Sequence, residues 1–261
     1  MDPVEKQIRE MQVKIERDKA RKINTRDSFQ PAVRANYDCH ECQDQEFIYN
    51  HVSNTAIPCK CREIKVIRRL FKSSGLTKSQ QEVSFEYLNE DLSNREMYQM
   101  AREYLNDFYN IAVGEGENKG LGFMGTVGTG KTTLLLAVAN ALLNQQVPVL
   151  FINTPNLFAE LLEAQWRGDG GGLLNTKIHR VSTVKLAIFD DVGKETATER
   201  VQLQYYRIIN QRYAEQLPTC FTSNFDFGEI AERIGDATAS RLYALTKERQ
   251  MNINAEDYRL M

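Results

Sequence analysis

The stretch Gly125-Thr126-Val127-Gly128-Thr129-Gly130-Lys131-Thr132 decides the fold of this chain of 261 residues. It has the G-x4-G-K-T pattern of a phosphate-binding loop, and it lies between a strand-like segment, 121–124, and a helical pattern over 131–143. Glycines let a backbone wrap around phosphate oxygens, and the amides that open a helix attract anions. The stretch therefore predicts a nucleotide-phosphate site.

Side chains and amides of this loop have separate expected roles. The Lys131 ammonium would neutralise the β- and γ-phosphates, and the Thr132 hydroxyl would bind Mg²⁺. The other loop residues expected to contact the nucleotide are Gly125, Gly128, Thr129, Gly130 and Thr133. ATP and Mg²⁺ are therefore the predicted ligands.

Two neighbouring carboxylates can supply the acidic groups that the phosphate-binding loop lacks. They are Asp190 and Asp191, and they follow the apolar strand-like segment 186–189. Asp190 would hold Mg²⁺, directly or through water, and Asp191 would orient or polarise the attacking water. A solvated turn is the weaker alternative at a distance of about sixty residues from a phosphate loop.

A third polar position follows the strand-like segment 219–222. Asn224 lies where the carboxyl end of a strand next to the loop strand can contact the γ-phosphate or the attacking water. Ordinary turn chemistry is the alternative for Thr222-Ser223-Asn224.

Strands and helices alternate through this part of the chain. Such alternation predicts an α/β fold in which a parallel sheet is covered by helices on both faces. A helix is also expected from Ser93, with Glu96 at the capping-box position, to about Ile111. The predicted strands are 121–124, 147–152, 186–189 and 219–222, and the predicted helices are 131–143, 157–166 and 201–214.

Four cysteines near the N-terminus have metal-ligand spacing. Cys39-x2-Cys42 and Cys59-x-Cys61 can supply two pairs of thiolates to one tetrahedral zinc ion. His40 or His51 could replace one thiolate, and reduced structural cysteines are the alternative. A region this small and polar would draw its folding energy from a structural zinc. The fifth cysteine, Cys220, lies on a predicted strand and is expected to be buried.

A charged helix is predicted over about 3–23. Its apolar positions Val4, Ile8, Met11 and Ile15 form a stripe of about two heptads, too short to predict a stable coiled coil. Packing on its own domain and binding to a partner helix are equally compatible with this stripe.

The composition argues against several classes of protein. The formal net charge of −2 gives no global signature of polyanion binding. No apolar run approaches the roughly 18 residues that span a bilayer, and the N-terminus lacks the apolar core of a secretory signal. A cytoplasmic protein with reduced thiols and no membrane partner is expected.

Taken together, these motifs resemble the AAA+ domain of the DnaC/DnaI-type bacterial helicase loaders and the related IstB transposition ATPases. The resemblance covers residues 76–261. It also includes 83–88, which is similar to the family segment near the nucleotide base. The matching motifs are 125–132, 188–193, 222–225 and 233–242.

The resemblance implies roles for several residues. Asp190 would be the Mg²⁺-supporting acid and Asn224 the sensor 1 residue. Arg241 resembles the arginine finger that reaches the ATP of a neighbouring copy, which implies self-association. An ordinary surface arginine is the alternative, and Arg233 is the second choice for the finger.

Two departures from the AAA+ pattern have consequences. Asp191 stands where many members have Glu, so hydrolysis is expected to be slow and dependent on assembly. Only twenty residues follow Arg241, too few for the usual C-terminal helical lid. Such truncation is typical of the resembled family.

Single-stranded DNA contacts are expected, by the same resemblance, around the helix before Asp190 and the turn after it. An aromatic ring beside a cation can stack on a base and bind a phosphate, although Trp166 could equally be a core anchor. The glycine-rich stretch 168–172 suggests a mobile loop. The candidate residues are Trp166, Arg167, Lys194, Thr198 and Arg200.

The resemblance also implies domains and a function. Residues 1–72 would form a small helical, zinc-binding domain that binds the hexameric DnaB-type replicative helicase, and 76–261 the AAA+ ATPase domain. The expected function is ATP-dependent loading of that helicase onto single-stranded DNA when replication initiates. The alternatives are an IstB-like transposition ATPase that remodels DNA, and a nucleotide-gated helicase adaptor or inhibitor with little hydrolysis.

Overall fold

The computed structural model describes residues 37–50, 54–91, 94–114, 118–166 and 172–254. The chain divides into two compact units between Cys61 and Arg62. The apolar stripe expected over 3–23, as well as His51 and Ser93, lies outside the described residues.

The first unit contains one antiparallel hairpin. Its strands are β1, Phe47–Asn50, and β2, Thr55–Pro58. Phe47 lies opposite Pro58, and Asn50 lies opposite Thr55.

The second unit is built on a sheet of five strands, in the order β4-β5-β6-β3-β7. All neighbouring strands are parallel. The strands are β3, Leu121–Gly125; β4, Val149–Asn153; β5, Leu186–Asp190; β6, Thr219–Thr222; and β7, Gln250–Ile253. The α/β class predicted from the alternating pattern is confirmed.

Helices surround this sheet, and a 3₁₀ turn covers Phe85–Tyr87. The helices are α1, Cys61–Ser73; α2, Lys78–Gln81; α3, Arg95–Asn106; α4, Phe108–Val113; α5, Lys131–Asn144; α6, Thr154–Trp166; α7, Gly172–Thr183; α8, Glu199–Ala214; α9, Phe227–Ile234; and α10, Asp236–Thr246.

Two apolar clusters cover the two faces of the sheet. One joins α3 and α5 to the sheet, and the other joins α6, α8 and α10 to it. All five residues of β5 are buried, as expected for a central parallel strand that is covered on both faces. Leu135 of α5 is fully buried, so truncation to alanine should cost about 2–5 kcal/mol of unfolding free energy.

Some predicted elements differ from the observed ones. The helix expected over 93–111 is two helices, because Asp107 takes a non-helical conformation and accepts a hydrogen bond from Asn110 Nδ2 at 2.6 Å. Helices α7 and α9 and strand β7 were not predicted. The compact-unit boundary precedes the expected one at 73–75, because Leu70 and Phe71 of α1 pack against the second unit's core.

The topology brings the predicted site together. Parallel strands end at one edge of the sheet, so β3, β5 and β6 deliver the phosphate loop, Asp190 and Thr222 to the same place. After α10 the described chain forms β7 beside β3, and no helical lid occurs among residues 247–254. Within the described ranges, no helix is long and apolar enough to cross a membrane.

Candidate nucleotide site and metal centre

The phosphate loop joins β3 to α5, and two of its glycines are required by geometry. Gly125 has φ 110°, and a Cβ there would lie 2.0 Å from the Ile253 carbonyl oxygen. The same oxygen accepts a hydrogen bond from the Thr126 amide at 3.0 Å. Gly130 has φ 83° immediately before α5. Left-handed backbone is unfavourable for other residues. The close approach of β7 therefore requires glycine at position 125, and the start of α5 favours glycine at position 130.

Lys131 is buried, and its ammonium faces the loop backbone. Nζ donates to the carbonyl oxygens of Gly125 at 2.9 Å and Thr126 at 2.5 Å, and to Thr129 Oγ1 at 3.3 Å. A fixed charge therefore stands at the centre of the loop, where phosphate oxygens are expected.

Two hydroxyl groups converge on one carboxylate oxygen of Asp190. Thr132 Oγ1 donates at 2.7 Å from the start of α5, and Thr222 Oγ1 donates at 2.8 Å from the end of β6. Burial raises the pKa of Asp190, the two hydroxyl bonds act in the opposite direction, and the nearby charge of Asp191 raises it further. A hydroxyl beside a carboxylate is an oxygen pair suited to Mg²⁺, so these residues fit the predicted ion.

Asp191 is held on both carboxylate oxygens. Asn224 Nδ2 lies 3.3 Å from Oδ1, and Lys194 Nζ lies 2.9 Å from Oδ2. The Asp191 amide donates to Thr222 Oγ1 at 2.9 Å, and the residue has φ 61°. Left-handed backbone is uncommon outside glycine, although aspartate is among the residues that adopt it most often. The three contacts therefore hold the predicted water-orienting acid in a defined position.

Two threonines of this site were missed by the sequence-based predictions. Thr222 contacts both acids, and Thr154 Oγ1 donates to the Asp190 carbonyl oxygen at 2.8 Å. Thr222 ends the predicted strand 219–222, two residues before Asn224, so its position offered a signal. Thr154 offered none, since its contact depends on β4 lying beside β5.

The segment 83–88 is attached to the phosphate-loop helix. Asn140 of α5 donates to the carbonyl oxygens of Gln80 at 2.8 Å and Val83 at 2.7 Å. This contact ties the segment that resembles the family's base-contacting region to the helix that begins at Lys131.

The two candidate arginine fingers occupy different surroundings. Arg233 donates to the Gly193 carbonyl oxygen at 3.0 Å and stacks on Phe225 at 3.7 Å, beside the turn that carries the acids. Arg241 donates to the Ala237 carbonyl oxygen at 2.7 Å and lies over the Tyr206 ring at 5.1 Å. These contacts turn Arg241 toward α8 and its own helix, and its role toward a neighbouring copy stays a prediction.

Three of the expected DNA-contacting residues lie in the described part of the chain, and at least two of them have contacts within the protein. Lys194 pairs with Asp191, and Thr198 accepts the Val201 amide at 3.3 Å as the N-cap of α8. Arg200 is exposed. The side chain of Trp166, the whole of Arg167 and the glycine-rich stretch through residue 171 lie outside the described part of the chain. These DNA contacts stay predictions.

The four N-terminal cysteines form one cluster. Their Sγ atoms all lie within 4.8 Å of one another. Cys39 and Cys59 are separated by 3.7 Å, and Cys42 and Cys61 by 3.3 Å. Tetrahedral zinc with sulfur at about 2.3 Å requires separations of roughly 3.8 Å. The four thiols therefore fit zinc, and Cys39, Cys42, Cys59 and Cys61 would hold it.

Ionisation within this cluster is uneven. Burial raises the pKa of Cys42, but hydrogen bonds from Cys61, the Glu46 backbone and Cys39 outweigh it and lower the pKa to about 7. Burial and the bond to Cys42 raise the pKa of Cys61. His40 is exposed and is not a member of the cluster, while Cys220 is buried on β6 as expected.

Similarity to known proteins agrees with this geometry. The model of the IstB-like ATP binding protein family, IstB_IS21, matches residues 48–261. Phage-like element PBSX protein XkdC of Bacillus subtilis (strain 168) is 25% identical over 235 residues, covering 86% of this chain and 85% of that protein. Replicative helicase loader DnaC of Escherichia coli (strain K12) is 26% identical over 195 residues, covering 73% and 75%.

Solved structures agree as well. The crystal structure of DnaI superimposes with a TM-score of 0.55 and 26% identity, over 70% of this chain and 93% of that one. A family match over residues 48–261 that includes the phosphate loop and both acids shows that this chain belongs to the IstB-like ATP-binding protein family, with the AAA+ ATPase fold of the DnaC/DnaI type.

Proposed function

We propose that this chain loads a hexameric, DnaB-type replicative helicase onto single-stranded DNA in an ATP-dependent step of replication initiation. The observation that carries the proposal is the pairing, in one chain, of a four-cysteine cluster with an AAA+ nucleotide site. Its relative DnaC is a replicative helicase loader.

In this proposal ATP supplies the phosphoryl group, and Mg²⁺ supplies positive charge that neutralises the phosphate oxygens. Lys131 would neutralise the phosphates, while Thr132 and Asp190 would hold the ion on the oxygens that now face each other at 2.7 Å. Asp191 would position the attacking water, and Asn224 would hold that carboxylate. These roles account for the polar contacts that join Thr132 to Asp190 and Asn224 to Asp191.

Slow, assembly-dependent hydrolysis is part of the proposal. Aspartate is one methylene shorter than the glutamate of many AAA+ proteins, so Asp191 would reach the water less effectively. Arg241 would complete the site from a neighbouring copy, because a guanidinium stabilises charge on the transferred phosphoryl group. Self-association would therefore accelerate turnover.

The N-terminal residues 1–72 would bind the helicase, and 76–261 would act as the ATPase domain. The cysteine cluster supports a folded, zinc-dependent module within the first of these ranges. Single-stranded DNA would contact the surface around Trp166, Arg167, Lys194, Thr198 and Arg200. Nucleotide state would then time release of the helicase.

A loading assay tests this function. Purified chain, a DnaB-type helicase and circular single-stranded DNA are mixed with ATP, and helicase retained on the DNA is counted after gel filtration. We expect retention to require both the chain and ATP, and Lys131→Ala to lose it. Equal retention with and without the chain would refute the loader function.

The match to the IstB-like family favours a second candidate, a transposition ATPase that remodels DNA. Such a protein should bind duplex DNA strongly by itself, without a helicase. The third candidate function, a nucleotide-gated adaptor, can be recognised by a variant. If Asp191→Ala still releases helicase like wild type, the chain is an adaptor rather than an ATPase switch.

A further inference from the structure

The turn that follows the two acids of the nucleotide site is held by an arginine of another helix. Arg233, in the last turn of α9, donates from Nη1 to the Gly193 carbonyl oxygen at 3.0 Å. Its guanidinium carbon lies 3.7 Å from the centre of the Phe225 ring. Gly193 comes two residues after Asp191, and Phe225 directly follows Asn224. Arg233 therefore contacts both of the segments whose side chains meet where Asn224 approaches Asp191.

The packing of the arginine and the ring on this turn is close. A Cβ at position 193 would lie 3.1 Å from Arg233 Cδ and 3.3 Å from Phe225 Cδ2. A larger residue at this position would therefore crowd both side chains. Because position 193 is glycine, the arginine and the ring pack directly on the backbone of the turn.

Helix α9 gives Arg233 a rigid support. Asp226 closes a capping box at the start of the helix, and the side chains of Ile230 and Ile234 are fully buried. At the other end, Gln202 Nε2 of α8 donates to the Arg233 carbonyl oxygen at 3.2 Å. Since the helix is fixed at both ends, its guanidinium can hold the turn in place.

Strand β6 holds the same turn one residue earlier. The Val192 amide donates to the Thr222 carbonyl oxygen at 2.8 Å, and the Val192 carbonyl oxygen accepts from Ser223 Oγ at 2.8 Å. These bonds fix Val192 against the end of the sheet. The bond from Arg233 fixes the next residue, Gly193, against α9. The turn is therefore held from two sides by two different elements.

The contact between Asn224 and Asp191 is sensitive to the position of this turn. Asn224 Nδ2 and Asp191 Oδ1 are 3.3 Å apart, slightly beyond the usual hydrogen-bond range of about 2.7–3.2 Å. A small displacement of the turn would separate the two groups. Small misplacements of groups that orient a reactant are costly in rate.

We propose that Arg233 is a positioning residue that acts within its own chain. Its bond to Gly193 and its stack on Phe225 hold the turn in place. Asp191 is thereby kept next to Asn224, in position to orient the attacking water. This role rests on the proposed ATPase function of the site. It also argues against Arg233 as the arginine finger, because a finger must reach the ATP of a neighbouring copy and both contacts would have to break.

Steady-state ATP hydrolysis by the full chain tests this role. Arg233→Ala should lower kcat about tenfold, because the acid that orients the water loses its fixed position. The KM for ATP and the affinity for a fluorescent ATP analogue should change less than about twofold, since Lys131 and the phosphate loop are left in place. Glu232→Ala, at an exposed position on the same helix, is the matched control and should keep the wild-type kcat. Thermal unfolding verifies that each variant is folded at the assay temperature.

Two conservative variants test the stack itself. Arg233→Lys keeps the charge but loses the planar group, and Phe225→Leu keeps apolar volume but loses the ring. Each should lower kcat about threefold, as expected for the loss of one cation–π contact. Adding Phe225→Leu to Arg233→Ala should lower kcat no further, because the ring has already lost its partner.

Mixed assemblies separate a role within the chain from a finger. Arg233→Ala is mixed with Lys131→Ala, whose copies lack hydrolysis but carry an intact Arg233. The rate per Arg233→Ala chain should not change. Arg241→Ala is the comparison, and its rate per chain should rise in the same mixture, because Lys131→Ala copies supply the proposed finger.

Three results would overturn the proposal, and they differ in what else they refute. An Arg233→Ala chain that melts at a lower temperature but keeps the wild-type kcat would show a structural role only. A rise in the rate per Arg233→Ala chain in the mixture would make Arg233 a finger. In both cases the proposed ATPase would stand. A wild-type chain that does not hydrolyse ATP would refute the proposed ATPase and the role of Arg233 with it.

Discussion

The nucleotide site and the four-cysteine cluster are both polar, yet they are held in opposite ways. In the nucleotide site each functional group bonds to other groups of the protein: Lys131 to loop oxygens, and Asp190 to Thr132 and Thr222. In the cluster four thiols face one another within 4.8 Å. The first arrangement is satisfied by the fold, whereas the second brings together groups that repel when ionised.

Burial explains this difference. Strands and helices with two apolar clusters support the nucleotide site. Of the described residues within 37–61, only Cys42 and Cys59 are buried. The described part of this unit therefore buries little apolar surface, and a structural zinc ion would add about 10–16 kcal/mol of apparent binding free energy. The comparison contrasts a site that the fold already holds together with a cluster that we propose depends on its ligand.

The largest expected effect comes from breaking the cluster. Cys42→Ser removes a buried thiol ligand, so zinc content should fall from about one per chain to near zero. Protection of residues 37–61 in hydrogen exchange should be lost, while ATP affinity changes less than about threefold, since the second unit has its own core.

Cys220→Ala is the matched control for this variant. It removes a buried thiol that is not part of the cluster, so zinc content should remain at one. Zinc content that is near zero in the wild-type chain, after purification without chelators, would contradict the metal-dependent account.

Lys131→Ala should have the next largest effect, on the other region. Removing the ammonium should weaken ATP binding at least about 100-fold, because the β- and γ-phosphates lose their main counter-charge. Zinc content should not change. Lys78→Ala, an exposed lysine on α2, is the control, and titration calorimetry measures both. Unchanged ATP affinity in Lys131→Ala would remove the nucleotide site from this loop.

Much of the nucleotide site and the cysteine cluster could be predicted from the sequence, and the part that could not has a physical explanation. Lys131, Thr132 and Asp190 follow from motifs whose spacing is local, and the cysteine cluster follows from two close pairs. The contacts of Thr222 and Thr154 with the two acids depend on which strands are neighbours, and no local pattern carries the order β4-β5-β6-β3-β7. These contacts exist because the strands concerned are neighbours in the sheet.

Other elements were missed for related reasons. Strand β7, with the sequence Gln-Met-Asn-Ile, has a weak apolar pattern and forms because it pairs with β3. The break between α3 and α4 lies at Asp107, whose backbone leaves the helical conformation. Strand β7 shows a tertiary contact that decides an element with a weak local pattern.

Asp190→Asn should separate stability from function. Burial raises the pKa of Asp190 above its ordinary value of 3.8, so the folded state keeps this proton to higher pH than the unfolded state. The carboxyl therefore lowers stability progressively as pH rises from about 4 through the raised pKa. The amide of the variant carries no charge, so the variant should melt about 2 °C or more above wild type at pH 7, with the gap closing near pH 4.

Hydrolysis in the same variant should fall at least about 100-fold, because the amide cannot serve Mg²⁺ as a carboxylate does. Thermal unfolding between about pH 4 and pH 7.5 and a phosphate-release assay measure the two effects. A melting temperature below wild type at pH 7 would contradict the burial argument.

The smallest expected effect belongs to the exposed ion pair between Lys194 and Asp191. The Lys194 side chain is 57% exposed, so Lys194→Ala should change unfolding free energy by less than about 1 kcal/mol. Freed from the ammonium, Asp191 should raise the basal hydrolysis rate about twofold to threefold. A fall in the rate instead would indicate that Lys194 contacts the nucleotide.

Light scattering of the chain with a DnaB-type helicase hexamer tests the central claim most directly. That claim is that the metal-dependent unit holds the helicase while the preformed site binds ATP. We predict a complex of defined mass for the wild-type chain with Mg-ATP, and none for Cys42→Ser, although that variant still binds ATP. A wild-type chain that forms no complex under any nucleotide condition, or a Cys42→Ser chain that binds like wild type, would contradict it.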